Sequence, residues 1–73
     1  MNMLDHQKTV IENLKENKES FIKEVKKSIK WLDASEIRKL YIWLIDNFGS
    51  VYADTINFIF NNDPVVRVKL DIS

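Results

Sequence analysis

Helical periodicity runs almost without interruption through the first 60 residues and then gives way, after one proline, to strict alternation. Between residues 3 and 32 the apolar side chains Leu4, Val10, Ile11, Leu14, Phe21, Ile22, Val25, Ile29 and Leu32 fall on one stripe when each residue is turned by about 100°. Beyond Pro64, Val66, Val68, Leu70 and Ile72 alternate with Arg67, Lys69 and Asp71, the period of a strand with one apolar face. The pattern therefore describes a mainly α-helical chain with a C-terminal strand over residues 64 to 73 and no second strand to pair with it.

The helical part divides by its capping chemistry. "KENKES" at 15 to 20 is wholly polar, yet the stripe keeps its phase across it and neither Gly nor Pro marks a turn there. This favours one long first helix, with Lys18 snorkelling out of the stripe, over two helices folded at 16 to 20. At "DASE", Asp33 stands three residues before Glu36, the arrangement of a capping box. A second helix over 34 to 48 follows, with Ile37, Leu40, Tyr41, Leu44, Ile45 and Phe48 on one face and Gly49 as a left-handed stop. Ser50 then caps a third helix over 51 to 61, in which Tyr52, Ile56, Ile59 and Phe60 face one way while Val51 and Phe58 lie to the side. Pro64 forbids its continuation. The expected fold is a bundle of three helices, or four if the first is broken near 16 to 20, formed by residues 1–63, with 64–73 as the tail of the same single domain.

Composition narrows the function more by exclusion than by signature. At 73 residues a chain hides only about 60% of the surface it exposes when unfolded, and with no Cys and a single His neither disulfides nor a Cys/His zinc site can staple it. Self-association is one way to bury more apolar surface. Eleven basic and eleven acidic side chains give a formal charge of zero, without the footprint of a dedicated nucleic-acid binder. There is no signal-peptide order at the N-terminus and no apolar run of membrane-spanning length, so a cytoplasmic protein is expected. Its Asn, Lys and Ile content suggests a low-GC bacterium or its phages.

Catalytic chemistry has little to work with. His6 lies in the first helical turn, the acids Glu12, Glu16, Glu19 and Glu24 are interleaved with lysines, and a chain with one glycine builds no phosphate-cradling loop. No catalytic residue, metal ligand or cofactor site is assigned, and the chain is read as a non-enzyme. Helix–turn–helix DNA binding around "FGS" is the alternative, with Lys23, Lys26, Lys27 and Lys30 as a second phosphate-contacting face. "SVYADTINFIF" offers no Lys or Arg to phosphates.

The preferred reading is a small protein-binding module, a regulator or inhibitor of a larger protein, acting as a homodimer. Two sets of residues are expected to carry association. One is the strand itself, Val66, Val68, Leu70 and Ile72, pairing with its own copy or adding to another protein's sheet edge. The other is Trp31, Ile42 and Trp43, which lie off the main stripes of their helices, where aromatic anchors serve as hot spots.

Overall fold

The computed structural model describes residues 2–71, which form four helices in the order α1 (Met3–Asn13), α2 (Lys18–Trp31), α3 (Ala34–Asn62) and α4 (Pro64–Asp71). The small helical bundle expected from the periodicity is present. Among the described residues there is no strand.

The first stripe is folded in two. Asn2 caps α1 by accepting from the Asp5 N–H at 2.8 Å, and Asn17 caps α2 by accepting from the Ser20 N–H at 3.1 Å. Asn17 itself is extended, at φ −104° and ψ 104°. The favoured continuous helix is thus corrected. Its polar stretch holds an Asn that competes with helical hydrogen bonding and serves better as a cap. The intervening turn uses no positive φ, which is why no glycine announces it. Folding back lets the stripe bury itself: Leu4, Gln7 and Ile11 of α1 meet the face of α2 that carries Phe21, Val25, Ser28 and Ile29. Gln7 Nε2 donates to Ser28 Oγ at 2.7 Å, fixing the pairing across 21 residues. Lys18 opens α2 and is exposed.

The capping box forms as its sequence predicts. The Asp33 carboxylate accepts from the Glu36 N–H at 2.9 Å, and Glu36 Oε1 accepts from the Asp33 N–H at 3.3 Å. From there α3 continues past Gly49, which has no positive φ and so is not the expected left-handed stop. The bend comes at Tyr52, at φ −119° and ψ 18°. It is sharp, because the Tyr41 hydroxyl donates to Asn57 Oδ1 at 2.6 Å and the Tyr41 and Phe60 rings lie 5.1 Å apart. In a straight helix, positions 16 residues apart are separated by roughly 24 Å. Residues 34–51 and 53–62 are therefore two arms folded toward each other, close to the two helices expected but with the corner moved from Gly49 to Tyr52. Tyr52 is held there by stacking on Phe21, with centroids 4.5 Å apart, and by donating its hydroxyl to the Lys15 carbonyl at 2.7 Å.

The C-terminal segment requires the largest correction. Residues 64–71 are helical, so among the described residues the strand that was to pair between molecules does not form. Pro64 is the first residue of α4, where its missing N–H costs nothing, and the Asp63 carboxylate before it accepts from the Val65 N–H at 2.8 Å. Helical spacing sorts the valines differently from alternation. Val66 is buried at 3% exposure and Val65 and Leu70 pack against the core, whereas Val68 is 59% exposed. An isolated strand leaves its backbone groups without partners, while a helix satisfies them internally, and β-branched propensity is too weak to outweigh that. Lys69 adds a tertiary lock. Its ammonium donates to the carbonyls of Ile29 at 3.0 Å, Lys30 at 2.7 Å and Leu32 at 2.7 Å, occupying the acceptors that the end of α2 leaves open.

The core runs through Ile11, Phe21, Val25, Ile29, Leu32, Ile37, Leu40, Leu44 and Ile56, all fully buried. Phe48 closes one end, edge-on to both Phe21 and Trp43.

Candidate interaction surface

The residues expected to carry association are dispersed by this fold. Val66 belongs to the core and offers nothing to a partner. Val68 faces outward, Leu70 is half-buried, and Ile72 lies outside the described residues. Trp43 is half-buried, edge-on to Phe48 at 5.3 Å with the Lys8 ammonium 5.8 Å from its ring, so it seals the seam between α1 and α3. Trp31 stays exposed at the end of α2, with the Lys27 ammonium 4.8 Å above its ring. Ile42 is 60% exposed.

Two shallow grooves organise what remains. The smaller, about 380 Å³, has Ile42 and Leu70 in its walls together with Ile37, Tyr41 and Phe60. The fold thus brings together one residue from each expected set. The larger, about 500 Å³, lies between α2 and the second arm of α3. Its α2 wall carries Lys18, Ile22 and Lys26, four residues apart and so on one face, and its α3 wall carries Asp54, Phe58 and Asn62 at the same spacing. Phe58, 68% exposed, stands at its rim. In the sequence Phe58 lies to the side of its helix, with no role assigned. Its signal was that it lay outside an apolar arc already wide enough to fill the core.

The carboxylate of Glu24 lies 4.0 Å from the Lys27 ammonium and accepts from Gln7 Nε2 at 3.5 Å. No buried side-chain nitrogen or oxygen among the described residues lacks a hydrogen-bond partner, and no group of three or more His, Cys, Asp or Glu is placed to hold a metal ion. The corner at Tyr52 does set two helical arms in succession, but the second exposes Asp54, Phe58, Asn61 and Asn62 and contains no cation. No described helix is long and apolar enough to cross a membrane.

No protein-family model, no curated protein and no solved structure matches this chain.

Proposed function

We propose that this protein is a non-enzymatic protein-binding module, a small regulator or inhibitor that acts by covering part of a larger protein's surface. The observation that carries the reading is the set of large apolar side chains the bundle leaves in water: Met3, Trp31, Ile42, Val51, Phe58 and Val68. Single exposed apolar residues are ordinary. Here Ile42 and Phe58 each stand on a groove with further apolar residues in its walls, which is how anchors and the pockets beside them are arranged in protein interfaces.

Affinity capture with the parent chain and with Ile42→Ser and Phe58→Ser tests it, each variant first checked for unchanged helical circular dichroism. The reading expects a protein retained by the parent and lost from at least one variant. Recovery of nucleic acid alone, removed by nuclease and by added salt, would instead favour the DNA-binding reading. Equal retention by all three chains would disprove the role of these anchors.

A further inference from the structure

The larger groove has a basic wall, an acidic wall and an apolar residue in the middle of each. Lys18 and Lys26 flank Ile22 on α2, and Asp54 precedes Phe58 on the second arm of α3, with Asp63 at its far end. Lys18, Lys26 and Asp54 make no ion pair within the described residues. The two walls run in the same direction. Tyr52 stacks on Phe21 near the start of α2, and Lys69, beyond the end of α3, reaches the last carbonyls of α2. Lys18 and Asp54 therefore mark one end of the groove, and Lys26 and Asp63 the other.

From this arrangement we infer that the face carrying this groove is a homodimer interface, covered by the same face of a second copy about a two-fold axis lying along the groove, with the exposed Phe58 of each copy entering the other's groove. Rotation about that axis exchanges the walls and preserves the ends. The partner's α2 wall then faces this chain's α3 wall, so that lysine meets aspartate at each end and the Phe58 and Ile22 side chains meet in the middle. A two-fold axis across the groove would set like walls together, lysine against lysine, and is disfavoured by the same charges. Self-complementarity of one patch is what an isologous interface requires. The chain's formal charge of zero adds no long-range repulsion between copies. Self-association is thereby assigned to a face formed by α2 and α3 and not to a C-terminal strand, since residues 64–71 are helical. It rests on the interaction-module reading only in treating Phe58 as an anchor.

Sedimentation equilibrium of the purified chain, with helical circular dichroism as the check on folding, is the test. The parent chain is expected to show a concentration-dependent dimer. Phe58→Ser should weaken it on the order of 30-fold, the effect of losing a central aromatic anchor. Lys18→Asp and Asp54→Lys should each weaken it on the order of tenfold, since a two-fold interface contains every contact twice. The Lys18→Asp/Asp54→Lys double variant should recover most of the loss by restoring opposite charges between copies. A parent that is monomeric at millimolar concentration overturns the proposal, as does a dimer indifferent to Phe58→Ser or a charge swap without recovery. A monomer that still captures a partner through Ile42 or Phe58 overturns the dimer while leaving the proposed function intact.

Discussion

Lys69→Met removes three hydrogen-bond donors and keeps the apolar stem. In the structure the Lys69 ammonium serves the carbonyls of Ile29, Lys30 and Leu32 at 2.7 to 3.0 Å, and two of those contacts are partly buried. A charge-assisted hydrogen bond contributes about 1.5 to 3 kcal/mol when well shielded. The side chain is only half-buried and the released carbonyls regain some water, so the three together are discounted to about 2 to 3 kcal/mol. A domain of this length has a total stability of roughly 4 to 11 kcal/mol, and Tm moves by roughly 4 to 8 °C per kcal/mol. The expected result is a fall in Tm of roughly 8 to 24 °C, followed by circular dichroism, with little change in the folded spectrum at low temperature. Arg67→Met is the control. Its guanidinium makes one exposed contact, Nη2 to the Asn61 carbonyl at 3.4 Å, and its loss should cost no more than about 0.5 kcal/mol. In an alternating strand, positions 67 and 69 would share one solvent-facing side and respond alike. Equal and small effects of the two substitutions would therefore refute both the helical assignment of residues 64–71 and the lock on α2.

Three further substitutions probe the helices and their junctions by urea denaturation. Gly49→Ala should stabilise the chain by about 0.5 to 1 kcal/mol, because Gly49 is helical and an added Cβ would meet only Ile45 Cγ2, at an ordinary 3.6 Å; destabilisation would mean that the position needs glycine. Ser28→Ala should cost about 1 to 3 kcal/mol by taking the 2.7 Å acceptor from the buried Gln7 amide, with part of the loss recovered in a Gln7→Leu/Ser28→Ala double variant; a cost near zero would show that the α1–α2 pairing does not depend on this bond. Tyr41→Phe should cost about 1 kcal/mol with the helical signal retained, since it removes the 2.6 Å bond to Asn57 that ties the two arms of α3; no cost would contradict the closed corner.

Some of this architecture was written in neighbouring residues. The Asp33 and Glu36 box needs only the three-residue spacing of its own chain, and the apolar stripes of α1, α2 and the first arm of α3 need only helical geometry, so these were readable before any contact was known. The break at Asn17 was half readable. The cap residue was present, but a turn made entirely with negative φ leaves no glycine to betray it, and unbroken phase concealed a fold-back that tertiary contacts such as Gln7 to Ser28 reveal. The corner of α3 could be expected near its single glycine. Its position at Tyr52 depends on Phe21 and the Lys15 carbonyl, which lie more than 30 residues away.

The candidate surface shows the same division. Placement off the helical stripes singled out Trp31, Ile42 and Trp43 alike without deciding their exposure; Trp31 and Ile42 stay in water, whereas Trp43 is drawn in by Phe48 and Lys8. Alternation in residues 66 to 72 is compatible with either a strand or a short helix, because so few residues cannot separate a period of 2 from one of 3.6. Local sequence determined that the chain would be mostly helix, that one helix starts at the Asp33 box, and which side chains were apolar enough to associate. Tertiary structure decided that the C-terminal segment is helical, because a lone strand finds no backbone partner, whereas a helix buries Val66 and brings Lys69 to the open end of α2.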